Sequence, residues 1–366
     1  MNWPLLLSLA TILAAPHLVE LQETAHLGPG PYQAGFRPER LHDRSRAWPS
    51  DSDPSGAAGR PIQIGLWYPG EAGDAEGMTV ADLILADATR VVDDSAWSVA
   101  RSAALAAART AFDAGGDRPL TDAEWERALA ARSAARIGVP ALPGRRALVL
   151  LQGGLGTRSY MLAPVAELLA SHGSVVAALG TAGASEKERL GFDLAGVRAQ
   201  VADMQLALGW LRERPEVDPA RVGLVGWSVG GVSQVVLRLD SPGAFRAAIS
   251  LDSGSGYAYG AELLRQAGAV SAARLGVPFL HFDVGRAGTP PVPKDDAFLR
   301  AHPEGAGRRV LLDDMRHADF TLPYGAGRRA ATAEPPPAAW QTFAHELLAF
   351  LDAHLRRGTG REGATE

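Results

Sequence analysis

Hydrophobic runs alternate with amphipathic stretches along the chain from Arg146 onward. Each run is short, continuous and rich in Val, Leu, Ile and Ala, which is typical of strands buried on both faces. The stretches between them carry apolar residues at the three- and four-residue spacing of helices. Strands are predicted at residues 147–151, 174–179, 221–227, 245–251, 277–282 and 308–312, and helices at residues 160–170, 194–214, 232–239 and 338–356. This alternation predicts an α/β fold with a mostly parallel central sheet and helices on both faces.

The first part of the chain follows a different pattern. Residues 32–44 and 60–68 are predicted to be strands, the second ending at a Pro-Gly turn, with a loop rich in Ser, Asp, Pro and Gly between them. The main domain is expected to span residues 29–356, and residues 357–366 are expected to fray.

An alanine-rich block at residues 78–139 interrupts the sheet pattern and is too long for a simple loop. Thr121 and Glu124 form a capping-box sequence ahead of an amphipathic run that predicts a helix to Ile137. Residues 95–112 predict a second helix. The block is therefore interpreted as a helical insertion, either a packing helix pair or a cap that shapes an acyl pocket.

The N-terminal residues 3–15 form an apolar run that is too short to span a bilayer and has the length of a signal-peptide core. No Lys or Arg precedes the run, and Leu13 occupies the −3 position of a cut after Ala15, where a small residue is usual. The length of the run favours a signal peptide at residues 1–15 and export to the periplasm or medium. Without cleavage the protein would be cytoplasmic, and no stable membrane insertion is expected.

Composition excludes several classes of function. The net charge of −5 gives no basic footprint for nucleic acid. The chain has no cysteine, which excludes disulfides, thiolate catalysis and cysteine-ligated zinc. Lys187 and Lys294 are its only lysines. We interpret this preference for arginine over lysine as codon usage rather than as a binding site.

One stretch carries a candidate nucleophile. The apolar run from Arg221 leads into Gly226-Trp227-Ser228-Val229-Gly230, a G-x-S-x-G sequence followed by a helical pattern. A serine on such a sharp strand-to-helix turn needs small neighbours, because side chains there would collide with the strand or helix. The turn would lift Ser228 Oγ above the carboxyl edge of the sheet, where ligands of parallel sheets bind.

A serine of this kind needs a histidine base that an acid orients, and in this topology both follow the serine in the chain. Among the downstream histidines only His317 stands in a loop after the last strand, whereas the others fall in predicted strands or helices or at a helix end. Asp252 and Asp283 each end a strand after the serine, so topology leaves both open as the acid.

The developing oxyanion needs two N–H donors. The backbone N–H of Val229, directly after Ser228, is one candidate. The glycine-rich turn after the strand at residues 147–151 supplies the other, from Leu155 or Gly154. This turn lacks the Lys-Ser/Thr of a phosphate-binding loop and the spacing of a dinucleotide fingerprint.

The chain resembles the bacterial α/β-hydrolases related to platelet-activating-factor acetylhydrolase and dienelactone hydrolase. The likeness rests on the oxyanion-type turn 154–156, the passage 169–177, the elbow 226–231, the strand end 250–252 and the histidine loop 317–321. The resemblance implies the α/β-hydrolase fold, Asp252 as the acid and lipid-degrading ester hydrolysis. Gly153, where the family often has histidine, and Ser253, where a smaller residue is frequent, depart from its pattern.

The sequence therefore predicts a serine ester hydrolase that acts on a small-molecule carboxylic ester through Ser228, His317 and Asp252, without metal or organic cofactor. The alternatives are a peptidase or polyesterase with the same triad, or a non-catalytic binding protein on this fold. No pattern in the sequence predicts an oligomeric state.

Overall fold

The computed structural model describes residues 30–89, 97–269, 275–286, 292–300 and 307–355. The predicted signal peptide and the predicted frayed tail lie outside the described residues. Within the described ranges, no helix combines the length and the apolar character needed to cross a bilayer.

Ten strands form one sheet in the spatial order β10-β9-β8-β7-β5-β6-β2-β1-β4-β3. The strands from β10 to β6 in that order run parallel to one another, and β2 joins them antiparallel through β6. The strands are β1 Gln33–Asp43, β2 Arg60–Gly70, β3 Gly77–Thr79, β4 Arg132–Ile137, β5 Arg146–Gln152, β6 Val175–Leu179, β7 Val217–Trp227, β8 Ala247–Leu251, β9 Phe279–Arg286 and β10 Gly307–Arg316. The mostly parallel sheet predicted from the sequence is confirmed.

Helices cover both faces of the sheet. They are α1 Val80–Thr89, α2 Trp97–Ala114, α3 Asp122–Ala130, α4 Ala163–Ser171, α5 Leu194–Arg212, α6 Val229–Asp240, α7 Ala258–Gln266, α8 Ala297–Arg300, α9 Ala326–Thr332 and α10 Ala339–Leu355. Side chains of α4 and α10 belong to the apolar core on one face, and those of α5, α6 and α7 to the core on the other. Burying the continuous apolar strands on both sides is the driving force for this layering.

The insertion differs in detail from its prediction. The helix that begins after Thr121 ends at Ala130, and residues 132–137 form β4, which pairs with β1 and β3. In β4, Ser133 and Ala135 are buried and Ala134 is exposed, the period-two pattern of a strand. Pairing with the free edge of β1 therefore outweighs the helix propensity of alanine. The helix predicted at residues 95–112 is observed as α2, and α1 was not predicted.

The insertion packs into the main domain. Leu83 of α1, Phe112 of α2 and Ala128 of α3 are buried in the same apolar core as one face of the sheet. Arg328 of α9 donates a hydrogen bond to the Phe112 carbonyl at 2.7 Å. These contacts anchor the insertion on the main domain and tie it to the segment that follows the His317 loop.

Candidate active site

Ser228 stands on a strained turn between β7 and α6. Its backbone has φ 57° and ψ −130°, a conformation that side-chain-bearing residues rarely adopt. A Cβ on Gly226 would lie 2.5 Å from Gly231 Cα, and one on Gly230 would lie 2.3 Å from the Gln152 carbonyl oxygen. The flanking glycines are therefore required by close backbone approach, as the elbow sequence predicted.

Asp252 directly follows β8 and lies at the same edge of the sheet. Its backbone also has a positive φ of 39°, and its amide donates to the Phe282 carbonyl at 2.8 Å. His317 begins a short 3₁₀ turn after β10. The His317 Nδ1 and Asp252 Oδ2 atoms are 2.7 Å apart, and the Asp252 side chain is fully buried.

Trp227 fixes His317 from the nucleophile side. Its indole stacks on the imidazole with ring centroids 4.9 Å apart and an angle of 28° between the planes. Its Nε1–H donates to the His317 carbonyl at 2.8 Å. Ser228 and His317 are both described residues, and Ser228 Oγ makes no hydrogen bond to the His317 ring. Such contacts are often long before a substrate binds, so the missing hydrogen bond does not argue against proton transfer.

Asp283, the other acid that the sequence left open, has partners other than His317. Its Oδ1 lies 3.2 Å from Lys294 Nζ and 3.4 Å from His281 Nε2, and its Oδ2 accepts a hydrogen bond from Arg309. The structure therefore brings Asp252 to His317 and holds Asp283 in a neighbouring ion-pair cluster that shares Lys294 with Asp252.

The turn after β5 lies against the nucleophile. A Cβ on Gly154 would be 2.8 Å from Ser228 Cβ and 3.1 Å from its Oγ. The Gly153 carbonyl accepts hydrogen bonds from Gln152 Nε2 and Gln200 Nε2, both at 3.2 Å. A Cβ on Gly153 would also lie 2.5 Å from Thr157 Cγ2, so this position has no room for a larger side chain.

The two predicted oxyanion donors flank this contact. The Gly154 carbonyl accepts a hydrogen bond from Thr181 Oγ1 at 3.4 Å, so the N–H of Leu155 in the same planar peptide points the opposite way. Val229 opens α6, and the N–H groups of a first helical turn have no partner within the helix. Leu155 is also one of the exposed large apolar side chains, with 37% of its surface accessible.

Sequence reasoning missed three residues around the acid. Tyr257 O–H donates to Asp252 Oδ1 at 2.7 Å, and Lys294 Nζ lies 3.5 Å from the same oxygen. Tyr259 stacks on Tyr257 with ring centroids 5.8 Å apart, and the Phe192 and Tyr259 ring centroids are 4.9 Å apart. The Tyr-x-Tyr sequence directly after the glycine-rich run 253–256 was an available signal for the tyrosines.

Electrostatics favour an ionised Asp252. Burial alone would raise its pKa, but the hydrogen bond and charge of His317, the Tyr257 hydroxyl and the Lys294 charge together hold the pKa below its usual range. Burial and the Asp252 charge raise the pKa of Tyr257 above its usual range. Burial and Asp252 raise the pKa of Tyr259 to about 12, against the effect of a hydrogen bond with Ser228. Both tyrosines are therefore neutral at neutral pH, and the Tyr257 hydroxyl donates to Asp252.

Ser253 occupies a tight position beside the acid. Its Oγ lies 2.5 Å from Ser250 Oγ, and it accepts a hydrogen bond from the Ser255 amide at 3.2 Å. A Cβ on Gly231 would be 2.2 Å from Ser253 Cβ. The absence of a side chain at Gly231 on α6 thus makes room for Ser253. No cluster of three or more His, Asp or Glu side chains suited to a metal ion occurs among the described residues.

Comparisons with known proteins agree with this architecture. Residues 161–255 match the model of the prolyl oligopeptidase family, Peptidase_S9. The ferulic acid esterase from Streptomyces cinnamoneus superposes with a TM-score of 0.57 at 21% identity, over 91% of this chain and 94% of that one. The dienelactone hydrolase from Anabaena variabilis ATCC 29413 has a TM-score of 0.42 at 20% identity, over 59% of this chain and 90% of that one. No curated protein matches the sequence. The chain has an α/β-hydrolase-like fold, and the family match supports a serine hydrolase of that fold.

Proposed function

We propose that this protein is a serine hydrolase of carboxylic esters with Ser228 as nucleophile, His317 as base and Asp252 as the acid that orients it. The observation that carries the proposal is the 2.7 Å contact between His317 Nδ1 and the buried Asp252 carboxylate, at the sheet edge where the strained elbow presents Ser228. A bystander serine would need neither the positive φ nor an oriented histidine beside it.

The chemistry follows from these positions. His317 Nε2 takes the proton of Ser228 Oγ as Oγ attacks the ester carbonyl, and the N–H groups of Val229 and Leu155 stabilise the oxyanion. The same imidazole then gives that proton to the departing alcohol as its bond to the carbonyl carbon breaks. The acyl group stays on Ser228 Oγ as an acyl-enzyme. A water molecule, deprotonated by His317, attacks the acyl-enzyme, and the proton returns to Ser228 as the acid is released. Asp252 keeps the Nδ1 proton in place and stabilises the imidazolium.

A peptidase with the same triad is the second candidate, and the match of residues 161–255 to the prolyl oligopeptidase family favours it. The esterase reading is supported by the ferulic acid esterase, whose name describes an ester-cleaving enzyme and whose fold extends over nearly the whole chain. The likeness of the elbow and histidine loop to platelet-activating-factor acetylhydrolase relatives points the same way. We therefore place esters first.

The experiment compares the wild-type protein with a Ser228→Ala variant. We expect a fluorophosphonate probe to label only the wild type, and we expect hydrolysis of p-nitrophenyl acetate and butyrate to disappear in the variant. Aminoacyl and dipeptidyl p-nitroanilides, assayed in parallel, report peptidase activity. Turnover of the anilides but not of the esters would replace the esterase by the peptidase. A folded wild-type protein that neither labels nor turns over any substrate would favour a non-catalytic binding protein.

A further inference from the structure

One loop is bound to the turn that follows Asp252. Tyr257 and Lys294 pair as an antiparallel β-bridge. The amide of Ala258 donates to the Pro293 carbonyl at 3.0 Å, and the amide of Asp295 donates to the Gly256 carbonyl at 3.1 Å. These main-chain bonds hold the backbone of Lys294 beside the acid, although 42 residues separate Lys294 from Asp252 in sequence.

The side chain of Lys294 lies between two buried carboxylates. Its Nζ is 3.5 Å from Asp252 Oδ1 and 3.2 Å from Asp283 Oδ1, and those side chains are 0% and 5% exposed. The ammonium also lies 3.9 Å from the centre of the Tyr257 ring, a cation–π contact. A chain that otherwise uses arginine for its basic residues thus has one of its two lysines here, where a compact ammonium fits between two carboxylate oxygens.

We propose that Lys294 is a positioning residue for the hydrolytic site that acts through Asp252: its ammonium offsets part of the negative charge that Asp252 directs at the imidazole. This inference rests on the proposed function. Without the ammonium, the charge of Asp252 would no longer be offset and would favour the imidazolium form of His317, which cannot act as a base. Lys294 therefore extends activity toward lower pH.

Other charged and titratable groups act on the same pair. Tyr257, Tyr259 and Lys294 act on Asp252 from neighbouring elements, whereas His281 and Arg309 face Asp283, which shares Lys294 with Asp252. Arg309 is bonded to Asp283 and to Asp296, and the tyrosines are neutral. On the turn of His317 itself, Asp319 is paired with Arg329 at 2.6 Å. Lys294 is thus the cation in direct contact with the acid.

The test is the pH dependence of kcat/KM for p-nitrophenyl butyrate, from pH ~4.5 to ~9, in wild type and Lys294→Met. We expect the midpoint of the acidic limb to move up by roughly 0.5–1 pH unit. The shift is this small because the Lys294 side chain is half-exposed, so solvent screens its interaction with the carboxylate. The plateau at high pH should stay within about threefold of wild type, because the base is unprotonated there. The shift should shrink at high ionic strength.

Three variants sharpen the result. Lys187→Met removes the other lysine, which pairs with Asp51 on the surface, and should give the wild-type profile. Lys294→Arg keeps the charge and should restore most of the acidic limb. Asp283→Asn removes one of the two negative charges and should move the limb downward. An unchanged midpoint in Lys294→Met, a uniform loss at all pH values, or a change in KM alone would overturn the proposal, the last in favour of substrate binding by Lys294.

A readout independent of turnover separates this proposal from the proposed function. The protonation of His317 is followed by imidazole NMR in wild type and Lys294→Met, with the His317→Gln variant to assign the signal. We expect the protonation midpoint of His317 to rise in Lys294→Met even if no ester substrate is found. Equal midpoints would overturn the role of Lys294 while leaving fluorophosphonate labelling of Ser228 intact.

Discussion

Replacing Asp252 by Asn tests the acid assignment through the hydrogen bonds that the structure shows. Two donors converge on Oδ1 of Asp252: the Tyr257 hydroxyl at 2.7 Å and Lys294 Nζ at 3.5 Å. They require an acceptor at that position, so the carbonyl oxygen of the introduced amide should occupy it. The NH₂ group then replaces Oδ2 and faces His317 Nδ1.

An amide that donates to Nδ1 forces the proton of the neutral imidazole onto Nε2, which can then no longer accept the proton of Ser228. Turning the amide over would place its NH₂ against Lys294, which has no acceptor, and would cost about 1–3 kcal/mol. Loss of the correct tautomer and of the buried charge should lower kcat by about 10³–10⁴-fold, or roughly 4–5.5 kcal/mol of activation free energy. KM should change little.

Asp283→Asn is the matched control, because it removes a buried carboxylate within β9 whose partners are Lys294, His281 and Arg309 rather than His317. Lys294 keeps Asp252 as a partner and Arg309 keeps Asp296, so kcat at pH ~8 should stay within about tenfold of wild type. The assay is the steady-state hydrolysis of p-nitrophenyl butyrate, with thermal unfolding to confirm that both variants fold. A large loss in Asp283→Asn together with near-normal turnover in Asp252→Asn would refute the assignment.

Two further predictions concern the turn after β5 and a buried acid. Gly154→Ala places a Cβ 2.8 Å from Ser228 Cβ and should lower kcat by at least about tenfold, whereas Gly209→Ala, which meets open space on α5, should keep full activity. Equal activities would contradict the close-approach argument. Burial raises the pKa of Glu167 to about 7, so the folded state binds the carboxyl proton more tightly than the unfolded chain does. The free energy of unfolding therefore falls as the pH rises from about 4.5 to 7. Glu167→Gln, which keeps partners for Ser133 and Ala134, should therefore gain on the order of 3 kcal/mol over wild type between pH ~4 and ~8. A pH-independent difference in Tm would contradict it.

The insertion shows how local preference and tertiary pairing compete. The capping box of Thr121 and Glu124 is present as the sequence predicted, since both partners lie within one turn. The end of that helix could not be predicted, because the residues after Ala130 are good helix formers and become a strand only by pairing with β1. Local sequence does not report that the edge of β1 is available.

The sequence by itself determined the features that depend on near neighbours. The apolar runs predicted the parallel strands, and the small residues around Ser228 predicted the turn that needs a positive φ. Only the tertiary structure decided which acid meets the histidine, because Asp252 and His317 are 65 residues apart and Asp283 lies within the neighbouring strand β9. The same holds for Lys294, whose side chain sits between the two carboxylates only because a β-bridge folds its loop onto the turn after Asp252. Contacts between distant segments follow from sheet register and loop packing, and local sequence does not encode either.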